Sequence, residues 1–280
     1  MQIGIVGPAE RSVAWENHLQ SHRLVSEVII AATLEDMGTV DACFLLDESD
    51  QKLNNLLKSI KLGYHTFFIS ALPAKSDAIE KIYHASQEAN VRLQFSHWPT
   101  LAPASQWMKQ KVRNPSFIQV VREISHTSFV ESGLSLNSLW IDELAYCLKY
   151  IGGAVHRTQI NATKLKSGKA YAVHLMLRFD SGATAGIYIS TCNQENRHKR
   201  LVSNHSLVLD CDVETQTVRI GKDHKNQHLF FEKKTFDPSL AAEKAAMQFL
   251  KAIQLNKTTL YSGYDLLQLT NLVESIQQRL

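Results

Sequence analysis

The segment QIGIVG (residues 2–7) decides the fold of the first half of this 280-residue chain. It is a short apolar run that stops at a glycine, which is typical of a buried strand that turns tightly into a helix. Further apolar runs follow at 25–31, 42–46, 65–69 and 91–95, with helical patterns at 11–20, 48–62 and 76–89. This alternation predicts right-handed βαβ units and a parallel sheet, and the wholly apolar strands predict helices on both faces.

The pattern changes after residue 98, where two prolines mark a linker. Helices are predicted at 104–112 and 137–151, the second ending at Gly152-Gly153. Strands are predicted at 117–126, 157–164, 170–179, 183–191, 198–210, 217–220 and 228–232, and closing helices at 238–255 and 264–280. The prediction is therefore an α/β domain over 1–98 and an α+β domain over 99–280 with an open, mostly antiparallel sheet that carries helices on one face. The helix at 264–280 is a candidate for packing back on the first domain.

Composition narrows the partners and the compartment. The apolar fraction is 44% and the formal net charge is +3, so neither nucleic acid nor an anionic membrane is expected as a partner. No apolar stretch is long enough to span a bilayer, and the N-terminus lacks the basic region of a signal peptide. The four cysteines are far apart and form no CxxC pair, which predicts no metal site and reduced thiols in a cytoplasmic protein.

Several local stretches together carry a resemblance to a known family. They are the first strand with its glycine turn at 3–7, the strand, helix and strand at 40–68 with Gly63-Tyr64-His65 in place of "GKH", and the helix at 139–155. With the closing helices, their order and spacing resemble the Gfo/Idh/MocA family of NAD(P)-dependent oxidoreductases. The resemblance implies a Rossmann-like first domain, NAD or NADP as cofactor, and a small polyol, sugar-like or keto substrate. It also implies a homodimer, which we expect to form through the outer face of the second domain's sheet.

The resemblance assigns the phosphate loop to residues 7–12. Of the three glycines that let a backbone approach the pyrophosphate, only Gly7 is present. Ala9 adds a methyl group there, and Glu10 adds a negative charge. Arg11 and Ser12 are able to donate to a phosphate in compensation. The alternative interpretation is an ordinary helix start with solvated charges.

Two further positions depart from the family's pattern. Thr33 follows the second strand, where an Asp normally accepts from the ribose, and its hydroxyl offers only a weaker neutral hydrogen bond. Ser70 takes the place of the family's catalytic lysine when the fourth strand is aligned, and Leu72 does so when the alignment is made on Pro73. Neither residue provides a cation.

The family's HxxD motif is also altered. Counting back from Gly152 places Asp142 at the histidine and Ala145 at the aspartate. Asp142 is a candidate general base, although an ordinary aspartate has a lower pKa than histidine. The alternative is an exposed helix-surface carboxylate beside Glu143.

The remaining candidates are aromatic. His97 and Trp98 follow the last parallel strand, where the two domains are expected to meet, so His97 is a second catalytic candidate and Trp98 a substrate contact. Trp140 is a further substrate candidate, and both tryptophans have core packing as the alternative. The basic stretch 197–200 is interpreted as a solvated hairpin end. Two functions therefore stand open: a divergent NAD(P)-dependent oxidoreductase, and a non-catalytic ligand-binding or regulatory relative.

Overall fold

The computed structural model describes residues 1–72, 76–166, 168–224 and 228–279. In chain order the first part contains the strands β1 (Gln2–Val6), β2 (Glu27–Ala31), β3 (Ala42–Leu46), β4 (His65–Ile69) and β5 (Leu93–Phe95), with the helices α1 (Ala9–Gln20), α2 (Lys52–Lys61), α3 (Ser76–Glu88) and α4 (Trp98–Leu101). All neighbouring strands are parallel, in the order β2-β1-β3-β4-β5. The parallel sheet predicted from the sequence is therefore confirmed.

Among its described residues, the rest of the chain contains the helices α5 (Pro103–Lys111), α6 (His126–Ser132) and α7 (Leu136–Ile151) and eight strands. The strands are β6 (Phe117–Ser125), β7 (Val155–Lys164), β8 (Ala170–Phe179), β9 (Thr184–Asn193), β10 (Arg197–Ser203), β11 (Leu207–Asp212), β12 (Thr217–His224) and β13 (His228–Thr235). A 3₁₀ turn at Pro238–Leu240 leads into α8 (Ala241–Gln254), and α9 (Gly263–Gln277) follows.

Two compact units share these elements. One comprises Met1–Leu101 together with Ser239–Glu274, and the other comprises Ala102–Pro238 together with Ser275–Leu280. The first unit therefore takes in α8 and most of α9 as well as the parallel sheet. The second unit holds the eight-stranded sheet.

In the first unit, apolar helices cover both faces of the sheet. Trp15 of α1, Phe44 of β3, Phe67 of β4 and Phe249 of α8 form an aromatic cluster on one face, with ring centroids between 5.2 and 5.8 Å apart. On the other face, the Thr66 hydroxyl lies 3.0 Å from the hydroxyl of Ser59 in α2. The wholly apolar strands of the sequence are explained by this double cover.

The connection between β2 and β3, residues 32–41, contains no helix. It passes β1 with three buried apolar side chains, Leu34, Met37 and Val40. Met37 packs directly on Gly4 of β1, where a Cβ atom would collide with the methionine side chain. Gly4 thus makes room for a short crossover in place of a helical one.

In the second unit the strand order is β13-β12-β11-β10-β6-β9-β8-β7, with β6 and β9 parallel and the other pairs antiparallel. Buried residues alternate along β6, β8 and β10, and α7 packs against β8 and β9. The mostly antiparallel sheet with helices on one face is confirmed.

One local prediction for this unit was wrong, and one helix was not predicted. The predicted strand 198–210 is two strands, because the Asn204 side chain accepts from the N–H groups of Ser206 (3.0 Å) and Leu207 (2.9 Å) and closes a turn. The strand predicted at 117–126 is confirmed as β6, but the short helix α6 that follows it was missed; the Ser125 hydroxyl caps this helix by accepting from the Ser128 N–H at 3.2 Å. Among the described residues, no helix is long and apolar enough to cross a bilayer.

Candidate functional site

The first unit has a cavity of about 670 Å³ at the carboxyl ends of β1, β2 and β3. The strand order reverses between β1 and β3, so this is the switch point at which ligands bind in open parallel sheets. The lining includes Gly7 and Pro8 after β1, Thr33 and Glu35 after β2, and Asp47, Glu48 and Ser49 after β3. Its volume is in the range of small-molecule sites.

Gly7 has a packing reason as well as any role in binding. A Cβ atom at this position would lie 2.6 Å from Leu46 Cβ and 2.8 Å from the Leu46 carbonyl oxygen. The turn after β1 therefore passes so close to β3 that only glycine fits. The presence of Gly7 does not by itself indicate a bound phosphate.

The first turn of α1 offers donors beside the cavity. The first hydrogen bond within the helix runs from the Ser12 N–H to the Pro8 carbonyl at 2.9 Å, so the N–H groups of residues 9–11 have no acceptor inside the helix. The Ser12 hydroxyl is fully buried and has no hydrogen-bond partner among the described residues. Ala9 and Arg11 are exposed. Pro8 has no N–H to offer, which departs from a glycine-rich phosphate loop.

The end of β2 carries an acid that the sequence analysis missed. Thr33, the predicted ribose contact, donates its hydroxyl to Asp36 at 2.7 Å. Glu35 lines the cavity two residues further on and forms an ion pair with Lys58 of α2. The sequence signal was an acid within two residues of the expected position, combined with a crossover too short for a helix.

The ends of β3 and β4 are linked by a hydrogen bond. The Ser70 hydroxyl donates to Glu48 Oε2 at 2.9 Å, and Lys52 Nζ lies 3.7 Å from the same oxygen. Asp47 accepts from the Ser49 N–H at 2.8 Å and from Asn55 Nδ2 at 2.7 Å. Burial alone would raise the pKa of Asp47, but these hydrogen bonds and the charge of Lys52 outweigh it and lower the pKa.

His97 and Trp98 lie in the first unit after β5. His97 is buried, its Nδ1 is 2.5 Å from the Thr100 hydroxyl, and its ring packs on Tyr261 with the centroids 4.7 Å apart. Trp98 is partly exposed and stacks on Trp15 at 6.2 Å. These contacts give both side chains a packing role within the unit.

Asp142 and Trp140 lie on α7 in the second unit. Trp140 is fully buried, and its Nε1 donates to Asn137 Oδ1 at 3.0 Å, which favours the packing interpretation. Asp142 is partly buried. Burial and the neighbouring charge of Glu143 raise its pKa to about 6. Its proton affinity is therefore far from that of an ordinary exposed aspartate.

Glu143, the next residue, is the centre of a buried ion network. Its carboxylate accepts two parallel hydrogen bonds from Arg200, Nε to Oε2 at 2.9 Å and Nη2 to Oε1 at 3.0 Å. Arg122 Nη1 is 3.6 Å from Oε1, and His198 Nε2 is 3.0 Å from Oε1, although off the line of a well-formed hydrogen bond. The Arg200 guanidinium also stacks on Tyr146 at 4.2 Å.

The network corrects the prediction that residues 197–200 are a solvated hairpin end. Arg200 is only 1% exposed. The alternation of β10 turns His198 and Arg200 toward the face that α7 covers. Burial alone would raise the pKa of Glu143, but Arg200 and His198 outweigh it and hold the pKa well below its usual range.

The structure therefore brings only some of the predicted site residues together. Gly7 and Thr33 line the switch-point cavity, and Ser70 is joined to it through Glu48. Ser12 is buried beneath the first turn of α1. Asp142 and Trp140 belong to the second unit. No group of three His, Cys, Asp or Glu side chains in the described part of the chain is arranged to hold a metal ion.

Comparison with known proteins finds likeness in structure rather than in sequence. No protein-family profile matches the chain, and neither does any curated protein. An NAD binding oxidoreductase from Klebsiella pneumoniae superposes with a TM-score of 0.83 at 12% identity, covering 99% of this chain and 96% of that one. The UDP-N-acetylglucosamine 3-dehydrogenase GnnA from Acidithiobacillus ferrooxidans gives a TM-score of 0.81 at 14% identity over 99% and 97%. Levoglucosan dehydrogenase in complex with NADH and levoglucosan gives 0.76 at 12% over 99% and 96%.

These solved structures share the fold of this chain, with its parallel sheet and its mostly antiparallel sheet. It is the fold that the resemblance to the Gfo/Idh/MocA oxidoreductases implied. The likeness extends over nearly the whole chain, and at this level of identity it shows the fold alone.

Proposed function

We propose that this protein is an NAD-dependent oxidoreductase that acts on a small polyol, sugar-like or keto compound. The observation that carries the proposal is the cavity at the switch point, lined by the turn into α1 and by polar groups after β2 and β3. This is the place where parallel sheets of this kind bind dinucleotides.

The donors and acceptors around the cavity fit NAD in two places. The unpaired N–H groups in the first turn of α1 suit a pyrophosphate, and the buried Ser12 hydroxyl is a further polar group beneath that turn. Glu35 and Thr33 offer acceptor oxygens for ribose hydroxyls. Pro8 offers no N–H group and Glu10 adds a negative charge, so both weaken phosphate binding. We therefore expect a higher NADH dissociation constant than in a protein with a glycine-rich phosphate loop.

The same residues favour NAD over NADP. The 2′-phosphate of NADP carries roughly two negative charges, and it would lie close to the carboxylate of Glu35. The Lys58 ammonium, which is able to bind such a phosphate, is instead paired with Glu35. Repulsion between these like charges should make NADP bind more weakly than NAD.

NAD⁺, when bound, accepts the hydride, and the protein has to take up a proton from the substrate hydroxyl. Asp142 stands at the family's histidine position, and its pKa of about 6 suits proton exchange near neutral pH. Asp142 and His97 remain the proton-transfer candidates that the sequence predicts. His97 is the weaker one, because its ring is held by Thr100 and Tyr261.

Fluorescence titration with NADH and NADPH tests the cofactor proposal. We expect saturable NADH binding and weaker NADPH binding. Glu35→Gln should weaken NADH binding and strengthen NADPH binding, because Lys58 becomes available to the 2′-phosphate. The matched control is Glu27→Gln at the other end of β2, an exposed residue outside the cavity. Wild-type protein that binds neither cofactor at millimolar concentration contradicts the proposal.

Substrates are sought with NAD⁺ and a panel of polyols and aldoses, together with levoglucosan and UDP-N-acetylglucosamine, on which the structural neighbours act. NADH formation with one of them supports an oxidoreductase.

A second function is favoured by one observation. Ser70 takes the place of the family's catalytic lysine when the fourth strand is aligned, and its hydroxyl is engaged by Glu48, which Lys52 also contacts. A relative that binds a ligand without turnover would show this arrangement. NADH binding with no reaction across the whole panel would support that second function.

We also propose a homodimer through the uncovered face of the eight-stranded sheet. The pairing registers place Phe231, Val208 and Phe117 in one row across this face, with Met176 on the same side in the adjoining row. All four are exposed large apolar side chains, which mark association surfaces when they are contiguous. Cysteine usage supports a cytoplasmic location as part of this proposal.

Sedimentation velocity at micromolar concentration tests the dimer. Phe117→Glu should shift the protein to the monomer, whereas Leu165→Glu, at an exposed loop position, should not. A wild-type monomer contradicts the proposal.

A further inference from the structure

A hydroxyl and a carboxylate are joined at the edge of the parallel sheet where its strands end. The Ser70 Oγ–H donates to Glu48 Oε2 at 2.9 Å, and the Ala71 N–H approaches the same oxygen at 3.4 Å. Glu48 follows β3 and Ser70 follows β4, and these strands are neighbours in the sheet. The pair therefore bridges two strand ends beside the switch-point cavity.

The serine is held in place by its backbone. The Ser70 N–H donates to Ser96 Oγ at 3.2 Å, and the Ser96 hydroxyl lies 3.3 Å from the Ser70 carbonyl oxygen. Both serines are buried. Because its proton is directed to Glu48, the Ser70 oxygen presents its lone pairs, and not its hydrogen, to any further partner.

The carboxylate has access to solvent and to a cation. Glu48 lines the cavity, and its side chain is 49% exposed. Lys52, one turn along, places its ammonium 3.7 Å from Oε2. A proton received by Glu48 is thus able to leave to water. The positive charge of Lys52 lies beside the carboxylate that accepts from Ser70.

We propose that Ser70 and Glu48 form a proton relay that takes up the hydroxyl proton during alcohol oxidation. This inference rests on the proposed function. The carbon–hydrogen bond of the substrate carbinol breaks and its hydride passes to NAD⁺, while the carbonyl forms. The hydroxyl proton moves to Ser70 Oγ, the proton of Ser70 moves to Glu48 Oε2, and protonated Glu48 releases it to water. One substrate molecule and one NAD⁺ give one ketone, one NADH and one proton.

The competing explanation is that Glu48 only anchors the loops after β3 and β4. Under both explanations, removing the second partner adds little to removing the first, because the two side chains share one hydrogen bond. The explanations differ in what is lost: a relay lowers kcat and changes its pH profile while NADH binding is kept, whereas an anchor weakens NADH binding as well.

The experiment compares Glu48→Gln, Ser70→Ala and the double variant with wild type. The matched control is Asp50→Asn, an exposed acid two residues after Glu48. For each protein, kcat and its pH profile are measured with NAD⁺ and whichever substrate of the panel is oxidised. The NADH dissociation constant is measured separately by fluorescence.

Each single variant should lower kcat by about 100-fold, which is a typical contribution of general base catalysis. The double variant should be no slower than the slower single variant. The pH profile of kcat should no longer show a basic group. The NADH dissociation constant should stay within about threefold of the wild-type value, as expected for groups that act on the proton rather than on cofactor binding. Asp50→Asn should match wild type.

Unchanged kcat in Glu48→Gln, with NADH still bound, overturns the relay alone. A loss of kcat accompanied by weakened NADH binding also overturns it, because it indicates an anchor. A comparable loss in Asp142→Asn but not in Glu48→Gln overturns it in favour of Asp142. NADH binding without turnover of any panel compound overturns the relay and leaves cofactor binding standing. Failure of wild type to bind NADH overturns the proposed function as well.

Discussion

Replacing Glu143 by glutamine should strongly destabilise the second unit. Its carboxylate is fully buried, accepts both hydrogen bonds of the Arg200 fork, and also lies 3.0 to 3.6 Å from His198 and Arg122. The neutral amide would leave the guanidinium groups of Arg200 and Arg122 without the carboxylate that lies beside both of them. Removing one partner of such a buried ion pair lowers the free energy of unfolding by about 3 to 5 kcal/mol.

The measurement is urea unfolding combined with amide hydrogen exchange of α7 and β10, because a chain with two compact units need not unfold in one step. The control is Glu123→Gln, which removes a more exposed ion pair with Arg197 at 3.6 Å and should cost less than about 1 kcal/mol. The double variant Glu143→Leu/Arg200→Met should recover most of the loss, because the fully buried charge of Arg200 is removed together with its partner, while Arg122 keeps access to solvent. A loss below about 1 kcal/mol in Glu143→Gln would refute the assigned importance of the network.

Three further predictions follow from the same structure. Asp142→Asn should stabilise the fold at pH 7 by up to about 3 kcal/mol, because the carboxyl has a pKa of about 6 in the folded state against 3.8 for an ordinary aspartate, so its ionised form is unfavourable in the fold. The gain, measured as a difference in the urea midpoint, should vanish near pH 4. A difference that does not change with pH would contradict this prediction. Burial lowers the pKa of His198 below 6.5, so the folded state binds fewer protons there, and His198→Gln should reduce the loss of stability that wild type shows as pH falls below 6.5. Gly7→Ala should cost about 1 to 3 kcal/mol because its methyl would meet the backbone of Leu46, whereas Gly221→Ala, with its nearest atom at 3.5 Å, should change the melting temperature little.

Most of the fold was predictable because the signal is local. A parallel sheet covered by helices imposes a regular pattern of buried residues on its sequence. That pattern is visible in the run at 2–7, in the wholly apolar β3 and in the helical patterns between the strands. The errors came where a single polar side chain redirected the backbone. Asn204 closes a turn inside a stretch that was predicted as one strand, and Ser125 caps a helix at the end of a strand. Such caps compete with the strand pattern at only one or two residues.

The site was predictable only in part. Gly7 and Thr33 line the cavity as their sequence positions suggested, but Glu35 was missed because it lies two residues beyond the position at which an acid was expected. Glu48 was not considered, because its importance comes from Ser70, 22 residues away in the chain.

The sequence by itself determined the order of the strands and helices along the chain and the parallel character of the first sheet. Only the tertiary structure decided what the polar residues do. Arg200 reads as one more basic residue in an exposed stretch, yet the alternation of β10 turns it under α7 onto Glu143. Gly7 reads as a phosphate fingerprint, yet the approach of β3 already requires it. Hydrophobic periodicity is a local property, whereas charge pairing and close approach depend on residues that only folding brings together.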